Sequence, residues 1–62
     1  MQMKTVNELQ TGQSILVVDD DPLVRKILKK YITGLGYYVE TAEDGRGALE
    51  MLNSYPYDLV LT

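Results

Sequence analysis

Three adjacent carboxylates close a short apolar run in residues 15–22, Ile-Leu-Val-Val-Asp-Asp-Asp-Pro, and nothing else in the chain constrains its fold as strongly. Four apolar residues rich in β-branching suit a parallel strand buried on both faces. Open α/β sheets place ligand sites at the carboxyl ends of their strands, which is where Asp19, Asp20 and Asp21 fall. Adjacent carboxylates repel one another unless a cation sits among them. A hard divalent ion with oxygen ligands, Mg²⁺ first among them, meets that need. Asp21 has a second use, because Pro22 follows at the favoured first helical position and makes Asp21 an N-cap. Asp19 and Asp20 are not needed as caps and are read as carboxylates of a metal or phosphoryl site. The plainer alternative for all three is a solvated acidic turn.

The chain has 62 residues, which allows one small domain that buries only ~60% of its unfolded surface. It contains no cysteine, so no disulfide or thiolate metal site staples it, and no histidine, the commonest general base. The net charge of −3 argues against nonspecific nucleic-acid binding. Arg25, Lys26, Lys29 and Lys30 fall at helical spacing and read as the wet side of an amphipathic helix. No stretch is long and apolar enough for a membrane span, and residues 1–14 lack the apolar core of a signal peptide. A cytoplasmic protein is the expectation.

Residues 1–14 read as a polar leader or linker, with Thr5 and Glu8 spaced for a capping box over a short turn. Strands are expected at Ile15–Val18, Tyr37–Thr41 and Asp58–Leu61. Between them, one helix starts at Pro22 and carries Leu23, Val24, Ile27, Leu28, Tyr31, Ile32 and Leu35 at the spacing of a helix packed on a sheet. Gly36 is a natural left-handed residue after its end. Asp44 caps a second helix through Ala48, Leu49, Met51 and Leu52, which Asn53, Ser54 and Pro56 stop. The order β-α-β-α-β implies an α/β fold with a parallel sheet and right-handed crossovers. The five tyrosines read as packing and interface residues.

Five segments together resemble the receiver domain of bacterial two-component response regulators: residues 15–22, Leu35-Gly36-Tyr37, Ala42-Glu43-Asp44-Gly45, Ala48-Leu49, and Tyr57-Asp58-Leu59-Val60-Leu61-Thr62. The resemblance covers residues 15–62, about the first half of such a domain. It implies a flavodoxin-like doubly wound sheet, here three parallel strands in the order 2-1-3. It also implies phosphorelay signalling, in which a sensor histidine kinase or phosphotransfer protein donates a phosphoryl group to an aspartate just after the third strand. Mg²⁺ would be held by the acidic pair, with Asp20 a direct ligand and Asp19 acting partly through water. Phosphoryl transfer gathers negative charge on oxygens, and a metal beside the acceptor neutralises it. The acceptor would be the residue after Thr62, so the polypeptide as it stands is expected not to be phosphorylated at that site. Met1 suggests a domain at the parent's N-terminus. Gly47 stands where many receivers carry an acidic residue, which weakens the start of the second helix.

Two rival readings follow from the same residues. An apolar strand followed by Asp-x-Asp also opens haloacid-dehalogenase-like phosphatases, with Asp19 as nucleophile and Asp21 as acid-base. Against it, Leu23 replaces the usual Thr or Val, and a helix at Pro22 leaves no room for the flap of those enzymes. The other reading is a self-associating fragment, a homodimer or larger assembly paired through an exposed third strand bearing Leu59, Val60 and Leu61.

Overall fold

The computed structural model describes residues 13–62, and the Thr5–Glu8 capping box lies outside them. Five elements follow in order: β1 (Ser14–Val18), α1 (Pro22–Gly34), β2 (Tyr38–Ala42), α2 (Gly45–Ser54) and β3 (Leu59–Leu61). The strands form one sheet in the order β2-β1-β3. Both pairings of β1 are parallel, Ser14 opposite Tyr38 and Ile15 opposite Leu59 at their starts. The expected topology and strand order are those observed.

Side-chain alternation along β1 divides the core into two layers. Ile15 and Val17 join Val39 and Ile32 under α1. Leu16 points the other way and joins Ala42 and Ala48 under α2. The helices therefore cover opposite faces, as a doubly wound sheet requires. Leu16 and Val17 are 0% and 1% exposed, so the central strand is buried on both faces, as its apolar run predicts.

Four boundaries differ from the sequence reading, each for a local reason. Ser14 belongs to β1 rather than to a leader. It is buried, and Asp58 accepts its backbone N–H at 2.7 Å and its hydroxyl at 3.3 Å. Strand β2 runs one residue later than expected because Tyr37 still points its N–H back to the Ile32 carbonyl, whereas the Tyr38 N–H reaches Gln13 at 3.0 Å. Asp58 precedes β3 instead of opening it. Leu35 is the C-cap of α1, and Gly36 follows with φ +103°, the left-handed turn expected of it.

The helical stripe is also narrower than its spacing suggests. Ile32 is buried and Leu28 packs partly against the core, whereas Leu23, Ile27, Tyr31 and Leu35 stay 56–66% exposed. A helix lying on three strands buries one row of its apolar face, and the flanking row points past the sheet. Among the described residues no helix is long and apolar enough to cross a membrane.

Candidate metal and phosphoryl site

The acidic run occupies the three residues between β1 and α1, and each carboxylate has a different environment. Asp19 is fixed on three sides. Its N–H donates to the Ala42 carbonyl at 3.1 Å, which extends the β1–β2 ladder by one bond. Its carbonyl accepts from the Arg25 guanidinium at 2.7 Å. Its Oδ1 accepts the Asp21 N–H at 2.9 Å, closing an Asx-type turn. Its other carboxylate oxygen accepts no hydrogen bond from the described residues.

Asp20 is exposed, and its carboxylate takes no hydrogen bond from any described residue. Asp21 is the N-cap of α1, with its Oδ1 accepting the Leu23 N–H at 2.9 Å and Pro22 at the start of the helix. Asp21 is thus committed to the helix, whereas one oxygen of Asp19 and both of Asp20 accept no hydrogen bond from the described residues. Asp44 caps α2 in the same way, accepting the Gly47 N–H at 2.9 Å.

Hard carboxylate oxygens at an open strand end fit a hard divalent cation. Among the described residues no three acidic side chains come together as a metal cage. Mg²⁺ is commonly held by one or two carboxylates together with several waters. Asp19 and Asp20 are the two residues that could supply them.

The spacing places Arg25 on the wet face of α1, and the structure gives it a further part. Its guanidinium reaches back over six residues and holds the Asp19 carbonyl, so that the loop is tied to the first turn of the helix. The signal in the sequence is slight: an arginine among lysines, where a planar donor fork makes a difference to backbone contacts. Lys26, Lys29 and Lys30 are exposed as expected.

The register of β3 adds the next part of the site. Ile15 faces Leu59, Leu16 faces Val60 and Val17 faces Leu61, a constant offset of 44. The pairing therefore brings the end of β3, at Leu61, level with Val17, two residues before Asp19. The helix directly after the acidic loop, beginning at Pro22, leaves no inserted flap of the phosphatase kind.

Comparison with known proteins agrees with this geometry. Residues 15–62 match the response regulator receiver domain family. The probable transcriptional regulator ycf27 of Guillardia theta is 39% identical over 54 residues, covering 87% of this chain and 21% of that protein. The sensor histidine kinase RcsC of Salmonella typhimurium is 46% identical over 48 residues, 77% of this chain and 5% of the kinase. Among solved structures, the chemotaxis protein CheY4 of Vibrio cholerae superposes with a TM-score of 0.77 at 35% identity, over 79% of this chain and 41% of that one. The chain thus spans less than half the length of each of these relatives. A sheet in the order 2-1-3, an acidic loop at its carboxyl end and a match over residues 15–62 make this chain a member of the response regulator receiver family, a signalling module of phosphorelays.

Proposed function

We propose that this chain supplies the metal-binding half of a receiver that takes a phosphoryl group from a histidine kinase or phosphotransfer protein. Asp19 and Asp20 hold Mg²⁺, Asp20 as a direct ligand and Asp19 partly through water. The acceptor is an aspartate at the position following Thr62. The single observation that supports this reading is the parallel β1–β3 register, Val17 opposite Leu61, which brings the end of β3 toward the acidic loop. An acceptor carboxylate beside two others could not receive a phosphoryl dianion without a cation between them. Asp19 is held by Ala42, Arg25 and Asp21, so its carboxylate is already placed before any ion arrives. Mg²⁺, when bound, neutralises charge on the transferring oxygens.

Two measurements test it. Mn²⁺ added to the chain should broaden amide resonances of residues 18–21 and of Thr62, and Mg²⁺ should reverse the effect by competition. Uniform broadening over the acidic surface would overturn the metal assignment. In the protein that continues past Thr62, acetyl phosphate with Mg²⁺ should add one phosphoryl group to the next residue. Labelling at any other position would overturn the acceptor assignment.

Self-association through β3 is the second reading, favoured by one observation. Leu59, Val60 and Leu61 lie on an outer strand at 50%, 38% and 37% exposure. Sedimentation of the chain should then show dimers or larger species, and a single folded monomer at tens of micromolar, about where weak pairing is visible, would remove it.

A further inference from the structure

Three of the five tyrosines converge at the amino end of the sheet, away from the acidic loop. Tyr38 opens β2, Tyr55 is the C-cap of α2, and Tyr57 lies on the way to β3. The rings of Tyr38 and Tyr55 have centroids 6.1 Å apart and are tilted by 56°. Tyr55 and Tyr57 are 4.9 Å apart in an edge-to-face pair. Glu40, two residues along β2 and on the same face, accepts the Tyr38 hydroxyl through Oε2. Tyr57 packs partly against the Leu16–Ala42–Ala48 layer, whereas Tyr38 and Tyr55 remain 49% and 43% exposed. The core explains Tyr57 and leaves the other two rings without a packing role.

We propose that Tyr38, Tyr55, Tyr57 and Glu40 form a recognition site for an arginine side chain of a partner protein. Ring faces are electron-rich and attract cations, and guanidinium is favoured because its plane stacks on an aromatic face. Tyr38 and Tyr55 are about half exposed, so aromatic surface of the cluster is open to a partner. Glu40 adds a full negative charge at its border. Oε2 is engaged by Tyr38, which leaves Oε1 for a guanidinium N–H. The Tyr38 phenol is pushed up to about 12, first by its hydrogen bond to Glu40. Tyr57 is raised by burial and then by the Glu40 charge. The site also borders β2, an outer strand of the sheet, so a partner segment can lie alongside it. The chain's net charge of −3 draws a basic partner to it. Neither Mg²⁺ nor phosphorylation enters, so this site stands or falls apart from the one at the strands' other end.

The test is an NMR titration of the full chain with N-acetyl-arginine amide, beside its neutral isostere N-acetyl-citrulline amide. Saturable shifts are expected in the Tyr38, Tyr55 and Tyr57 ring resonances and at Glu40, with citrulline about fivefold weaker or more. Tyr55→Leu and Glu40→Gln should each weaken the arginine response about threefold or more, while Tyr55→Phe keeps it. Tyr55 and Glu40 lie outside both core layers, so these variants should keep the native amide spectrum elsewhere. Equal responses to arginine and citrulline would overturn the proposal, as would shifts unchanged by both Tyr55→Leu and Glu40→Gln.

Discussion

The two ends of the sheet use the same kinds of polar group to opposite effect. At the amino end, polar groups answer one another. Asp58 accepts the N–H and hydroxyl of Ser14, its own N–H returns to the Ser14 carbonyl at 2.9 Å, and Tyr38 donates to Gln13. At the carboxyl end the backbone is also tied, yet one oxygen of Asp19 and both of Asp20 accept no hydrogen bond from the described residues. A carboxylate that answers buried groups, as Asp58 answers Ser14, fixes a fold, and one without a hydrogen-bond donor among the described residues beside a fixed backbone is ready for a ligand. The contrast separates stability from binding within one chain, and substitutions at the two ends should separate them in measurement.

The largest effect should come from Asp58→Ala. Ser14 is 2% exposed, and without Asp58 its N–H is a buried donor with no acceptor, which costs about 1–3 kcal/mol. Urea unfolding of the variant against the parent chain measures it. A loss under about 0.5 kcal/mol, the ordinary range for surface changes, would mean that the amino end is not locked in this way. Asp21→Ala should cost less, about 1 kcal/mol, because it removes only the cap on the Leu23 N–H. The same unfolding series measures it, and the expected order Asp58 over Asp21 is part of the comparison.

Asp20→Asn sharpens the contrast from the other side. In chelator its stability should stay within about 0.5 kcal/mol of the parent, or rise slightly as repulsion among neighbouring carboxylates falls. In Mg²⁺ the parent should gain stability by mass action and the variant should not. A variant that loses stability in chelator would show Asp20 to be a structural residue, and the two ends would no longer differ.

Much of this was legible in the sequence because it rests on short-range rules. The apolar run of β1, the caps at Asp21 and Asp44, the left-handed Gly36 and the β-α-β-α-β order each follow from a few adjacent residues. What the sequence hid depends on distant partners. Ser14 looked like linker because its buried polar group is answered by Asp58, 44 residues away. Arg25 looked like one more solvated cation until the loop folded its guanidinium onto the Asp19 carbonyl. The exposed row Leu23, Ile27 and Tyr31 misled for a further reason: periodicity reports which side chains share a helix face, and not how wide a surface lies beneath it. Within the acidic loop, the separation of Asp21 from its neighbours could be read from Pro22 alone.

The smallest effect expected belongs to Tyr38, and it is spectroscopic. Its phenol is raised from 10.0 to about 12, first through the hydrogen bond to Glu40 and then through burial and the Glu40 charge. A phenol raised in the folded state favours folding while it keeps its proton. That contribution is complete below pH 10 and lost as pH rises from 10 through about 12. Tyrosinate absorbance of the native chain should therefore show part of the signal of its five tyrosines arriving late. Glu40→Gln removes both the charged acceptor and the negative charge, and should return that part toward the ordinary range. Tyr57, raised first by burial, should still titrate late in the same variant. A Glu40→Gln curve that overlays the parent would show that the carboxylate does not govern this cluster. The amino end would then hold only packed rings, and its contrast with the open carboxylates of Asp19 and Asp20 would rest on Ser14 and Asp58 alone.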